Sequence, residues 1–471
     1  MTQTQSLTRS LGLRYVIVVT VANILGSGVY KKIAPMANEL NSTGWVLVAW
    51  LLGGIITLFG ALSYAEVSGL LADTGGEYAY YKKIYNRFLA FMFGWSLFTV
   101  IQTASISSLA FVFSESLQTF VQLPDLPQSL IDIKILGLQP FHNFPVKIVA
   151  VILIIFLTLI NLRSIKSGAG LSSVLLWLIY LGLGTIVIFG LSSGEADVSR
   201  SFVFSTINDS PITVSMMFTA MMSAFWAYQG WTTVGFIGGE VKEAKSTLPK
   251  GIAIGVFIVI GIYLLVNMTY LALLPIESLK EIDQAGNKIA AIEAVKIFWG
   301  ERGAIFISIL ILVTTFGCTH ATIYASARPY FAMAKEGLFF KSVGKLNASH
   351  VPANSLWLQC VWACLLVFSG TFDILTNLVI FAVFIFYGLT SFGVFILRRS
   401  MPDAHRPYKV WGYPFVPAIV ILFAIGLFIN TVVTEPIQAL VGMGLILTGV
   451  PVYFLFTRNR RQSDNEENVR T

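Results

Sequence analysis

Charge is scarce in this chain: Asp, Glu, Lys and Arg together make up 12% of 471 residues, and histidine adds four. A water-soluble domain carries about a quarter charged residues, so that class is excluded. Cysteine is rarer still. Cys318, Cys360 and Cys364 all fall in apolar stretches, which excludes a disulfide framework and predicts no disulfide-linked partner subunit. The sequence also lacks an HExxH motif, a CxxC pair and any cluster of Asp, Glu and His near one membrane face. A membrane enzyme needs such groups, so no catalytic residue, metal or cofactor is assigned. A cleavable leader is not expected either: the first residues are polar, and the first apolar segment is too long and has no small-residue cleavage pattern.

What is abundant is apolar surface, at 56% of residues with a mean hydropathy of +0.76. Crossing about 30 Å of hydrocarbon takes about 20 helical residues, and about twelve stretches qualify. They lie near 11–40, 44–70, 86–117, 145–163, 170–193, 211–238, 249–275, 302–335, 355–370, 373–398, 412–432 and 436–457. The chain is therefore expected to be an all-α integral membrane protein without a soluble domain. The formal net charge of +7 does not call for nucleic acid, because the basic residues gather in alternate loops. Arg9, Arg14, Lys82, Lys83, Arg163, Lys166, Lys242, Lys245, Arg328, Lys335, Arg398, Arg399 and Arg458 fall on one side, while Glu277, Glu281, Asp283 and Glu293 fall on the other. The positive-inside bias then puts both termini in the cytoplasm of a cell-membrane protein. Residues 1–10 and 458–471 read as cytoplasmic tails, the second polar enough to be disordered.

Two of the apolar segments are interrupted at corresponding places. The first contains Ile24-Leu25-Gly26-Ser27-Gly28 and the sixth Trp226-Ala227-Tyr228-Gln229-Gly230-Trp231. Irregular backbone survives at membrane depth only where protein, water or a solute satisfies it, and paired breaks five segments apart point to a midplane binding site between inverted repeats. Residues 11–400 then form a repeat core of ten helices, and 401–457 two additional ones. The amides of Ser27 and Gly28 at the start of a half-helix suit an anionic group such as a carboxylate; the competing reading is a small-residue packing seam. Carbonyls at the end of the sixth half-helix suit an ammonium. Together they match an α-amino acid. Trp226, Tyr228 and Trp231 are bulky enough to close over it, although such aromatics also serve as plain packing.

Gly26-Ser27-Gly28-Val29-Tyr30, Gly75-Gly76-Glu77-Tyr78 and Phe225 to Trp231, followed by Glu240-Val241-Lys242 and Leu248-Pro249, resemble the amino acid-polyamine-organocation superfamily. So do Arg328 with Ala334-Lys335-Glu336-Gly337-Leu338, and Leu397-Arg398-Arg399 with Pro402, Arg406-Pro407-Tyr408 and Gly412-Tyr413-Pro414. The likeness runs from about residue 11 to 457, nearest to bacterial relatives of the L-type amino-acid transporters. It implies a LeuT-like fold, a 5+5 inverted repeat plus two further helices, and secondary transport by alternating access. It also implies a substrate carboxylate on the amides of Ser27 and Gly28 and an amine at carbonyls of Ile24, Trp226, Ala227 and Gln229. By position Trp226 is similar to a gating aromatic, Asn23 adds a hydrogen bond near the carboxylate, and Gln102 and Thr322 face the side-chain pocket.

The chain departs from that family pattern in two places. Many relatives carry a lysine in the middle of segment five; here Ile179 stands at or near that position. The vacated position would hold Na+, with Gly26, Thr319 and Thr322 as oxygen donors, or only water; the coupling ion, H+ or Na+, stays open. Lys31 and Lys32 follow the first break, where the family is apolar. Either they attract acidic substrates or replace the missing lysine, or they line a hydrated vestibule and pair with acids such as Glu39. Glu66, Glu115 and His320 are the other intramembrane titratable groups, and His320 is the candidate mid-membrane switch. A pocket outlined by Gln102, Trp226 and Thr322 carries no fixed charge, so a neutral amino acid is the expected substrate, by exchange or symport. An acidic amino acid, a polyamine, or a non-transporting sensor on the same fold are the alternatives.

Overall fold

Long apolar runs in lipid leave the backbone no partner but itself, and helix follows. In a computed structural model of the chain, residues 11–71, 76–134, 139–163, 168–206, 210–234, 241–349 and 351–458 are described, with side chains in segment five from Trp177 onward. Residues 1–10, Gly75, Lys166, the stretch 235–240 that ends segment six, and the tail beyond Arg458 lie outside the described residues.

All twelve expected segments carry helix. The first is α1 (Leu13–Ile24), α2 (Gly28–Lys31) and α3 (Ile33–Leu40), and the second is α4 (Thr43–Leu71), followed by a short α5 (Gly76–Ile84) that does not span. Segment three comprises α6 (Arg87–Ser96), a π-helical turn at Leu97–Ile101, and α7 (Gln102–Leu117). After α8 (Gln128–Ile131) come α9 (Phe144–Asn161), α10 (Gly168–Ser192), α11 (Val214–Tyr228) and α12 (Ala244–Leu273). The chain closes with α13 (Ile276–Ala285), α14 (Ala290–Lys335), α15 (Ala353–Ser369), α16 (Phe372–Ser400), α17 (Phe415–Thr434) and α18 (Pro436–Leu447). Eight helices among the described residues are long and apolar enough to cross a membrane, and α1, α15 and the described part of α10 are shorter apolar helices. No strand occurs among the described residues beyond one isolated bridge, Leu11 to Val241. The segment boundaries have local causes. Thr213 caps α11 by accepting from the Met216 amide at 3.2 Å. Pro145 and Pro436 sit in the first turns of α9 and α18, and Gly300 at φ 60° interrupts α14 ahead of its membrane-crossing part.

The described residues form two compact units, those within 11–90, 187–283 and 383–434 in one and those within 91–186, 284–382 and 435–458 in the other. In the first unit α12 packs along both α4 and α1, and α11 along α4. Its best-tied point is Glu66, 2% exposed. Arg398 Nε and Nη2 donate to the two carboxylate oxygens at 2.9 and 2.7 Å, the Val410 amide donates at 2.7 Å, and Arg406 Nε lies 3.4 Å away. Arg406 also donates to the carbonyls of Leu397 and Met401 at 2.8 Å. One carboxylate thus clamps the loop between α16 and α17 to α4. On the other side, α13 is joined to the end of α3 by Lys280 to Asn41 at 2.6 Å and Asn38 to Asp283 at 2.9 Å.

In the second unit the π turn dominates the local chemistry. Widening a helix by one residue misaligns carbonyls that then need other donors. Here Tyr330 donates to Leu97 O at 3.2 Å, Thr103 to Phe98 O at 2.7 Å and the Trp362 indole to Thr99 O at 2.8 Å. The bulge ties α7, α14 and α15 together immediately before Gln102.

Removing the Glu66 charge leaves two guanidinium groups without their counter-ion. Glu66→Gln is expected to destabilise the protein by about 3 kcal/mol, the scale for breaking a buried pair. The check is a thermal unfolding midpoint in detergent; an unaltered midpoint would mean the clamp contributes nothing.

Candidate functional site

At the first break α1 ends at Ile24, and Leu25 leaves the helix with ψ 97° while its amide still bonds Val21 O at 2.9 Å. Ser27 has already returned to helical angles, φ −62° and ψ −23°, and α2 begins at Gly28. Lys32, between α2 and α3, keeps near-helical angles, so residues 28–40 run on almost as one helix. The first carbonyls that this helix uses are those of Ser27, bonded by the Tyr30 amide at 3.2 Å, and Gly28, bonded by the Lys32 amide at 2.9 Å. The amides of Ser27 and Gly28 precede any helical acceptor.

At the second break α11 stops at Tyr228, Gln229 is extended at φ −64° and ψ 149°, and Gly230 takes φ +117° before a turn through residue 234. The breaks meet. A β-carbon on Gly230 would sit 2.2 Å from the Asn23 carbonyl oxygen, and one on Gly28 would sit 2.6 Å from Ala227 Cα. Only glycine permits backbone to approach backbone this closely, and at Gly230 only glycine takes the angle without strain.

The hydroxyl of Tyr263, in the middle of α12, lies 2.9 Å from Ile24 O and 2.9 Å from Ala227 O. One buried phenol therefore bridges the carbonyls freed on both sides. Its ring is held edge-on by Trp50 at 5.5 Å and tilted against Tyr228 at 5.1 Å, and Tyr228 in turn donates to Trp50 O at 3.2 Å. Beyond the second break, Tyr387 donates to Gln229 Oε1 at 3.0 Å and Tyr64 to the Thr232 carbonyl at 3.1 Å. A cavity of about 10 Å³, lined by Tyr228, Gln229, Trp231 and Tyr387 among others, has room for about one water beside these groups.

Of the residues expected to bind solute, Asn23, Ile24, Ser27, Gly28, Trp226, Ala227 and Gln229 all belong to this first unit. Ser27, Ile24, Trp226 and Ala227 are buried, whereas Asn23 is exposed. The Trp226 carbonyl accepts from the Gln229 amide at 3.3 Å. Gly26 is half-buried in the same unit. Gln102, Ile179, Thr319 and Thr322 belong to the second unit. There Ser326 Oγ lies 3.2 Å from Gln102 Oε1 and 2.5 Å from Thr322 O, joining the two expected pocket residues. Thr319 and Thr322 direct their hydroxyls to Thr315 O at 2.6 Å and Cys318 O at 2.8 Å. Ile179 is buried. Among the described residues no group of three His, Cys, Asp or Glu has metal-binding arrangement, and the three cysteines are free thiols.

One expectation is corrected. Lys31 and Lys32 do not line a hydrated vestibule: they are 4% and 0% exposed, because α2 and α3 are packed against α11 along this stretch. Tyr263, Tyr387 and Ser326 escaped the sequence reading. Tyr263 stands in the apolar run Ile260-Gly261-Ile262-Tyr263-Leu264, where its one signal is a polar group in mid-span.

Interrupted first and sixth segments in direct backbone contact, within a multi-pass helical membrane protein, define a carrier-type site. Residues 11–456 match the amino acid permease family, and the chain belongs to it. The chain is 29% identical to the serine/threonine exchanger SteT of Bacillus subtilis, over 96% of this chain and 98% of that protein. It is 25% identical to the human b(0,+)-type amino acid transporter 1, over 96% and 89%. With the human large neutral amino acids transporter small subunit 2 the identity is 27%, over 96% and 81%.

Tyr263→Phe takes the shared donor from two buried carbonyls. A loss of about 1–3 kcal/mol is expected, read as a lower unfolding midpoint in detergent, with Gly230→Ala more severe because backbone must move. Wild-type stability in Tyr263→Phe would show that the bridge is dispensable.

Proposed function

We propose that this protein is a secondary transporter of α-amino acids in the cell membrane, both termini cytoplasmic, working by alternating access and most simply by exchange of neutral amino acids. The observation that carries the reading is the meeting of the two breaks. It puts unpaired amides and unwound carbonyls, the complements of a carboxylate and an ammonium, in one place. The family supports it, as do relatives named as amino-acid exchangers and transporters. Residues 11–400 act as the repeat core and 401–457 as additional helices.

In this reading the substrate carboxylate takes the amides of Ser27 and Gly28, with Asn23 beside them. The amine joins Tyr263 at the Ile24 and Ala227 carbonyls, since each carbonyl has a second lone pair, and reaches those of Trp226 and Gln229. Trp226 closes over the bound solute, while Gln102 and Thr322 meet its side chain. The coupling ion is Na+ held by Gly26, Thr319 and Thr322 near Ile179, or a proton. No disulfide-linked subunit and no enzymatic step are required.

Proteoliposomes loaded with or without unlabelled amino acids, under imposed Na+ or pH gradients, test this directly. Saturable uptake of a labelled neutral amino acid that needs internal amino acid is expected; no uptake of any amino acid sinks the reading. Ser27→Pro removes one amide donor and is expected to abolish binding, and Trp226→Ala to slow transport at least tenfold. Wild-type affinity in Ser27→Pro would refute the carboxylate assignment, and unaltered kinetics in Trp226→Ala would remove its gating role.

A further inference from the structure

One buried acid beside the second break has no part in the binding scheme. Glu77 opens α5, the short helix between the second and third spans, and is 6% exposed. The Thr232 hydroxyl acts on its carboxyl, while Oε1 is buried and has no hydrogen-bond partner. Buried polar atoms without partners are rare and ask for a reason.

Thr232 stands two residues past Gly230. Its hydroxyl also acts on Tyr387, which donates to Gln229 Oε1 at 3.0 Å. Its carbonyl accepts from Tyr64 at 3.1 Å. Trp231, between the break and Thr232, packs on Tyr64 at 5.4 Å and Tyr387 at 4.8 Å. Side chains in close succession thus lead from the Glu77 carboxyl past Thr232, Trp231 and Tyr387 to Gln229.

The titratable groups facing Glu77 are Tyr64 from α4, Tyr387 from α16 and Tyr81 from α5 itself, with Tyr80 of α5 against Tyr64. None is basic, and among the described residues no cation acts on the carboxyl. Burial accordingly pushes Glu77 up to about 8, with the Thr232 hydroxyl opposing the rise. The folded protein holds this proton more tightly than the unfolded chain. Stability from it is therefore fully present below about 4.5 and is lost as pH rises through about 8.

We propose that the Glu77 carboxyl is a proton-binding site that gates the second break. With the proton bound, the line from Glu77 to Gln229 keeps the turn after Gly230 ordered and competent to bind substrate. Without it, a carboxylate with an unpartnered oxygen cannot stay dry, and water entering beside Thr232 loosens the turn. The proposal rests on the amino-acid transport reading for its functional output but not for its structural one.

Two measurements separate those outputs. In proteoliposomes, exchange uptake is expected to fall about tenfold between pH 7 and pH 9, following a single proton near pH 8. Glu77→Gln, a permanent mimic of the neutral form, is expected to keep the neutral-pH rate throughout. Thr232→Val, which removes the group favouring ionisation, is expected to move the midpoint upward and serves if Glu77→Gln does not fold. Active wild-type exchange that is flat with pH, or the same fall in Glu77→Gln, overturns the proposal. Hydrogen–deuterium exchange of residues 226–234, corrected for intrinsic rate, needs no substrate. It is expected to rise in the wild type above pH 8 and to stay level in Glu77→Gln, and a level wild-type profile overturns the gate even if no amino acid is transported.

Discussion

Lipid supplies no hydrogen-bond partner, so a helix that stops within it leaves its last carbonyls and next amides to be satisfied by whatever protein or solute lies alongside. In this chain two helices stop, at Ile24 and at Tyr228, and both stops are resolved at one place. Gly28 and Gly230 allow the interrupted backbones to touch, and the Tyr263 hydroxyl reaches a carbonyl from each. The Trp50, Tyr228 and Tyr263 rings hold that hydroxyl in position. The amides of Ser27 and Gly28 are not matched by helical carbonyls in the same way, and the proposed carboxylate site rests on that asymmetry.

The same constraint operates at the π turn of segment three. Leu97, Phe98 and Thr99 present carbonyls to the side chains of Tyr330, Thr103 and Trp362. In each unit an irregularity in the backbone is answered by side chains from helices distant in sequence, and the irregular stretch therefore becomes a point where several helices are held together.

Two buried acids in the first unit show opposite answers to the cost of burying a charge. Glu66 has two guanidinium groups and a backbone amide around it and serves as a structural clamp. Glu77 has a single hydroxyl and an aromatic surround, so its environment favours the proton. A clamp and a titratable group thus arise from one residue type, separated by what the neighbouring helices bring to it.

The twelve segments and their approximate limits were legible because hydropathy and length are properties of the chain itself, and so were the two breaks, because Gly26-Ser27-Gly28 and Gln229-Gly230 interrupt apolar runs locally. The burial of Lys31 and Lys32 was not legible, since a charged pair after a break reads as hydrated until the packing of α2 and α3 against α11 is seen. Tyr263 and Glu77 were equally hidden as functional groups: one sits in an ordinary apolar run, the other in a family motif with no marker of its surroundings. Sequence by itself determined that this is a helical membrane protein interrupted at two matching points, because one-dimensional hydropathy and glycine placement suffice for that. Only the tertiary structure decided that the interruptions touch, that Tyr263 bridges them and that Glu77 lies dry beside Thr232. Hydrogen bonding and burial depend on which helices become neighbours, and here Ile24 and Tyr263 meet across 239 positions of chain.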